Sequence, residues 1–168
     1  HKIIVENDEL LNYFEHNEKV IKYPIGLPNK NIEIISSLQK KIEKEKVILY
    51  IGRINHAKGL DRLINIFCDL IQNNYIDNDW KLKVIGKVTE KEYFDDIVFN
   101  INQEKFIKDR ITIEKEKSGK NYYSEILNSS LVILPTRGEG LPNVLADTYF
   151  SKRLFLTTTG AKVDGIIN

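Results

Sequence analysis

The chain has 168 residues, 42% of them apolar and 29% charged, with a formal net charge of +1. That is enough sequence to bury a substantial core, and too apolar for a disordered chain. The near-neutral charge argues against nucleic acid as the main partner, the single Cys68 excludes an intrachain disulfide, and no apolar run approaches the roughly 20 residues of a membrane helix.

In chain order, Lys2–Val5 reads as a strand, Asp8–Phe14 as a short helix and Val20–Tyr23 as a second strand. A turn-rich corner runs from Pro24 through Gly26 to Pro28. The polar, Lys/Glu-rich stretch Asn31–Lys46 is expected to be an exposed helix leading into the core domain. A boundary therefore falls near residues 24–46, with 1–46 a strand-helix-strand segment and linker from a preceding domain, and 47–168 the main domain.

From there a repeat sets in. Val47–Ile51 is a strand, and Leu60, Leu63, Ile64, Phe67, Cys68 and Ile71 follow at helical spacing along one face. Leu82–Ile85 is the next strand, with a helix marked by Tyr93, Phe94, Ile97, Val98 and Ile101. Ile111–Ile113 is a short strand before a helix carrying Tyr122, Tyr123, Ile126 and Leu127. Leu131–Leu134, the helix Pro142–Phe150 and the strand Leu154–Leu156 complete the series. Short apolar runs alternating with amphipathic helices signal an α/β fold with a doubly wound, Rossmann-like parallel sheet. Cys68, on the apolar face of its helix, reads as a small core residue.

In such sheets ligands bind at the carboxyl ends of the strands, and two segments lie there. Gly52 and Arg53 follow the strand Val47–Ile51, and Lys58-Gly59 opens the next helix. Singly, Arg53 and Lys58 are solvated loop charges; together, a flat fork of donors and a compact point charge suit a diphosphate. The second segment, Gly138-Glu139-Gly140-Leu141-Pro142-Asn143, joins the strand Leu131–Leu134 to its helix. Gly138 and Gly140 leave room for a ligand near the backbone, and Pro142 is suited to a first helical turn. The open amides of that turn favour an anion. Glu139 and Asp147 sit eight residues apart, one before the helix and one about two turns along it. The combination suits a ligand with a phosphate end and a polyhydroxyl end, such as a nucleotide sugar.

Other candidates carry less. Gly138-Glu139-Gly140 lacks the third glycine and the following acid of a dinucleotide fingerprint, and no P-loop occurs. Asp77-Asn78-Asp79 has the form of a DxD metal motif, yet it precedes a strand, away from the ligand edge, and reads as a turn. The three His lack metal-ligand spacing, and His56, inside the Arg53–Lys58 loop, reads as a surface loop residue rather than as part of the site lining. Ser118-Gly119 follows a strand and is either a contact at the ligand edge or a simple turn. Asn128-Ser129-Ser130 matches a glycosylation sequon that a cytosolic protein never uses.

Gly52-Arg53 through Lys58-Gly59, Gly86 after a strand, Glu139-Gly140-Leu141-Pro142-Asn143 through Asp147, and Gly160 to Asp164 occur in one order and spacing. From about Val20 onward they resemble the C-terminal, donor-binding domain of the retaining GT-B glycosyltransferases of family 4 (group 1). The resemblance implies that 47–168 is a nucleotide-sugar-binding domain and that Arg53 and Lys58 hold the diphosphate. It implies further that Glu139 contacts the donor sugar, Asp147 the ribose, and the backbone around Gly140–Asn143 the sugar and phosphates. Glu139, Arg53 and Lys58 are then the catalytic candidates, with no cofactor and no obligatory metal. The implied partners are a nucleotide sugar and a saccharide or lipid-linked acceptor bound through a preceding domain. The implied setting is the cytoplasm, with the full-length enzyme at the inner face of the membrane and building a cell-surface polysaccharide.

Three positions and one charged run depart from the family pattern. Asp147 and Asp164 stand where Glu is usual, Thr148 where a small residue is common, and Glu114-Lys115-Glu116-Lys117 where a glycine follows the strand. The chain starts on His1, has no Met and ends on Asn168, so it reads as a piece of something longer. Two rivals remain at this level: a separate nucleotide-sugar-binding subunit, and a flavodoxin-like regulatory or binding domain without transferase activity.

Overall fold

The computed structural model describes residues 3–5, 8–14, 17–22, 26–39, 45–104, 106–140, 142–161 and 163. Two short strands, β1 (Ile3–Val5) and β2 (Val20–Lys22), pair in parallel across the helix α1 (Asp8–Tyr13). Lys2 and Tyr23, expected at the ends of these strands, lie outside the described residues. The helix α2 (Asn29–Gln39) follows.

Five strands then form one parallel sheet: β3 (Val47–Ile51), β4 (Lys81–Ile85), β5 (Ile111–Glu114), β6 (Leu131–Leu134) and β7 (Leu154–Thr157). Their spatial order is β5-β4-β3-β6-β7. The chain builds outward from β3 through β4 to β5, returns to the other side of β3, and builds outward again. Between the strands run α3 (Leu60–Gln72), α4 (Lys91–Gln103), α5 (Gly119–Asn128) and α6 (Asn143–Phe150).

Alternation along β3 explains the two covered faces. Ile48 and Tyr50 join a core with Leu60, Leu63, Ile64 and Phe67 of α3 and Ile97 and Ile101 of α4. Leu49 and Ile51 point the other way, into a second core with Tyr123, Ile126 and Leu127 of α5. A strand buried on both faces is uniformly apolar, as Val-Ile-Leu-Tyr-Ile is. Cys68 packs half-buried against the first core, and burial pushes its thiol up to about 11. The edge strand β7 leaves Leu154 and Leu156 exposed at 70% and 57%.

Two expectations are corrected. The segment Asn31–Lys46 is not an exposed helix throughout. Its helical part, α2, buries Ile35 and Leu38 in the second core beside α5. The Lys/Glu-rich composition comes mainly from residues 40–46, of which 40–44 lie outside the described residues and Glu45 and Lys46 are not helical. The expected division at residue 46 thus falls after a helix that shares this core. The last helix begins at Asn143, not Pro142. Pro142 caps it in extended conformation (φ −75°, ψ 119°), its carbonyl accepting from the Leu145 amide at 3.0 Å.

Two glycines let the loops at the carboxyl edge close up. At Gly59, in the left-handed region at φ +70°, a Cβ would lie 2.1 Å from the Pro135 carbonyl oxygen. At Gly86 a Cβ would lie 1.8 Å from the Gly52 oxygen. Both obstacles are backbone and cannot swing away. Gly86→Ala is expected to lose about 2 kcal/mol or more of stability in urea denaturation. Gly138→Ala, where a Cβ meets nothing within 4 Å, is the control, and a shift of less than about 0.5 kcal/mol is expected.

Candidate functional site

The order of the strands reverses between β3 and β6, and a crevice opens at their carboxyl ends. The loop after β3 supplies one wall. Asn55 caps a 3-10 turn, His56–Lys58, by accepting from the Lys58 amide at 3.1 Å. That turn directs Lys58 inward, and the residue is only 8% exposed. Arg53 stays exposed; its carbonyl accepts from the buried Tyr50 hydroxyl at 2.6 Å.

The loop after β6 supplies the other wall. Its backbone is held to both neighbours: the Arg137 amide donates to Ala57 O and the Glu139 amide to Gly160 O, each at 2.8 Å. Glu139 forms an ion pair with Lys58. Its second oxygen, Oε2, is buried and meets no hydrogen-bond partner among the described residues. Lys58 and Glu139, so far apart in sequence, therefore close on each other.

The cleft between these walls has a volume of about 380 Å³, within the range of small-molecule sites. It brings together Gly52, Arg53, Lys58, Gly86, Glu139, Pro142 and Asn143. Two expected residues, Gly140 and Asp147, are not among its lining. Gly140 is exposed, with nothing within 4 Å of a Cβ. Leu141 lies outside the described residues, as does Asp164. Asp147 faces a neighbouring depression with Pro28 and Asn31; Asn143 borders both hollows.

Asp147 is already engaged. Tyr122 Oη donates to its Oδ2 at 2.8 Å and Tyr123 Oη to its Oδ1 at 2.9 Å. Burial pushes the Asp147 carboxyl up, against the pull of the two phenols. Burial and the nearby carboxylate drive both tyrosines well above the ordinary phenol range.

Sequence reasoning missed several residues here. Tyr122 was assigned only to a helix face, yet it lines the cleft, as do Lys87, Glu116 and Lys117. Lys87 stands two residues past the end of β4, as Arg53 does past β3, so the rule that found Arg53 applies to it. Lys117 and Lys83 are interlocked with Glu114 and Glu125 in a four-charge network, with Lys117 2.6 Å from Glu114 and Lys83 2.9 Å from Glu125. Arg137 and Asp61 form a bidentate pair at 2.9 and 2.5 Å, and Tyr93 donates to Asp61 at 2.6 Å. Arg137 also donates to the His56 carbonyl at 2.5 Å, which ties the two walls together a second time. His56 itself is exposed, its ring edge-on to Tyr93.

Asp77 and Asp79 form a turn whose carboxylates are both taken by Lys46, at 2.8 and 2.9 Å. Ser118 caps α5 and is not among the cleft's lining residues. Among the described residues no group of three His, Cys, Asp or Glu is disposed to hold a metal ion, and no helix is long and apolar enough to cross a membrane.

The family model described as "Glycosyl transferases group 1" matches residues 31–148. No curated protein matches the chain. Solved structures do. WaaG, a glycosyltransferase involved in lipopolysaccharide biosynthesis, superposes with a TM-score of 0.69 at 18% identity, over 95% of this chain and 45% of WaaG. Alr3699/HepE of Anabaena, in complex with UDP and glucose, gives 0.73 at 13% identity, over 95% and 45%. The C-terminal domain of the group 1 protein LpcC from Francisella tularensis gives 0.57 at 20% identity, over 86% and 69%. The chain thus spans 45% of the length of the first two. At these identities the likeness shows the fold, a Rossmann-like half of the GT-B architecture.

The Asp61 pair has a pH signature. Partial burial raises its carboxyl, but hydrogen bonds from Arg137 and Tyr93 outweigh this and hold it at about 2, below the ordinary 3.8. A depressed acid adds stability above its unfolded value and loses it as the pH falls through the folded one. The stability difference between the wild type and Asp61→Asn is therefore expected to be full at neutral pH and to shrink from about pH 4 toward pH 2. Urea denaturation of both proteins across that range is the check.

Proposed function

The chain belongs to the group 1 glycosyl transferases, and on that premise we propose that it is the donor-binding half of a retaining GT-B enzyme acting on a nucleoside-diphosphate sugar. The observation that carries this reading is the meeting of Arg53, Lys58 and Glu139 in one cleft across the reversal of strand order. Arg53 and Lys58 hold the diphosphate, with the backbone at Gly52 and Gly86 close beneath. The first turn of α6, entered through Gly140, Leu141, Pro142 and Asn143, presents amides to the same anion. Glu139 takes a hydroxyl of the donor sugar; its unpartnered Oε2 supports that role. Asp147 serves the ribose end.

The chemical task of this half is to stabilise the departing nucleoside diphosphate. Charge develops on the leaving oxygen as the glycosidic bond breaks, and fixed cations aimed at that oxygen lower the barrier. Arg53, Lys58 and the α6 terminus supply this without an obligatory metal ion. The acceptor, a saccharide or lipid-linked glycan in cell-surface polysaccharide synthesis, is selected by the partner domain of the whole enzyme. Similarity to a lipopolysaccharide glycosyltransferase and to a fold crystallised with UDP and glucose supports this assignment. The setting is cytoplasmic, with the whole enzyme peripheral to the membrane.

Calorimetric titration of the chain with UDP, GDP and ADP tests the reading. A charge-assisted hydrogen bond is worth about 1.5–3 kcal/mol, so Arg53→Ala and Lys58→Ala are each expected to weaken the ligand that binds by tenfold or more. Unchanged affinity in both variants removes the diphosphate assignment. Incubated with a nucleotide sugar and an acceptor, the chain alone is expected to give little or no transfer; efficient turnover contradicts the division of labour.

A further inference from the structure

Tyr122, Tyr123 and Asp147 form a closed cluster in which one carboxylate receives two phenol protons, at 2.8 and 2.9 Å. The tyrosine rings stand edge-on with centroids 5.1 Å apart, so each braces the other. The three members differ in what they face. Tyr122 lines the cleft that holds Arg53, Lys58 and Glu139, whereas Asp147 lines the adjoining hollow. Tyr123 is buried in the second core.

A phenol has one proton to give and lone pairs with which to accept. With its proton committed to Asp147, the Tyr122 oxygen has only acceptor capacity left for a ligand. Burial and the carboxylate both oppose ionisation of Tyr122, which keeps that proton in place. The ligand group complementary to such an oxygen is a hydrogen-bond donor, an O–H or an N–H. On a nucleoside diphosphate anchored by Arg53 and Lys58, the ribose hydroxyls lie next along from the phosphates.

We propose that the Tyr122 oxygen, its proton held by Asp147, accepts a hydrogen bond from a ribose hydroxyl of the bound nucleotide, so that Asp147 acts on the ribose through Tyr122 and not by direct contact. Asp147 is then a positioning residue, and Tyr122 the specificity residue that separates ribonucleotides from their deoxy counterparts. This rests on the nucleotide-sugar reading above and refines the role given there to Asp147.

The test is calorimetric titration of the chain with UDP, GDP and ADP and with the 2′-deoxy and 3′-deoxy forms of each, for the wild type, Tyr122→Phe and Tyr123→Phe. Both variants remove one hydroxyl from the same carboxylate and share that structural cost, but only Tyr122 faces the cleft. The wild type is expected to prefer the ribonucleotide by about fivefold over one of its deoxy forms, the loss of one neutral hydrogen bond. Tyr122→Phe is expected to erase that preference while keeping the deoxynucleotide affinity, and Tyr123→Phe to retain it. Discrimination that survives in Tyr122→Phe, or is lost equally in both variants, overturns the proposal. Wild-type binding indifferent to both ribose hydroxyls overturns it alone, whereas no nucleotide binding at all removes the parent reading as well.

Discussion

The structure depends on one topological constraint: β3 is central, and the chain departs from it in opposite directions on its two visits to the middle of the sheet. All five strands are parallel, so every strand–helix loop that follows one emerges on the same edge. Right-handed crossovers then send α3 and α4 to one face and α5 to the other. Only at the boundary between β3 and β6 do neighbouring loops diverge and leave space between them. Arg53, Lys58 and Glu139 sit on the two loops that flank that boundary, which is why distant segments of sequence share a cleft.

The electrostatics follow from burial. Lys58 is nearly enclosed, and an enclosed ammonium without a counter-charge is costly. Glu139 supplies that charge across the cleft. The pair holds the two walls in register, yet one carboxylate oxygen has no donor among the described residues. The Arg137–Asp61 fork and the Ala57 carbonyl carry the structural connection on the outer side. The inner pair is thereby left to answer to whatever enters the cleft, while the outer contacts keep the loops in place.

Much of this was legible in the sequence because period and position are local signals. The uniformly apolar Val47–Ile51 and the spacing from Leu60 to Ile71 specify a doubly buried strand and a helix beside it. The place of Arg53 and Lys58 on the cleft was readable because both follow the carboxyl end of β3. The failures are those of composition and of pairing. Averaging over Asn31–Lys46 let the lysines after Gln39 mask the apolar stripe of α2. Tyr122 looked like a core aromatic, since nothing along α5 shows that a carboxylate on α6 will lie across from it. Arg137 and Asp61 are similarly a relation between two loops, and single-sequence periodicity does not encode relations.

The tight passage of Gly59 beneath the Pro135 carbonyl carries a lesson for how such a site changes over time. With the Arg137 amide bonded to Ala57 nearby, the two loops are mortised into each other, and neither can gain or lose a residue without dislodging its mate. Insertions that diversify what the cleft accepts must enter elsewhere on the rim, or arrive in both loops at once. Anyone transplanting this cleft onto another scaffold has to move the pair as a single part.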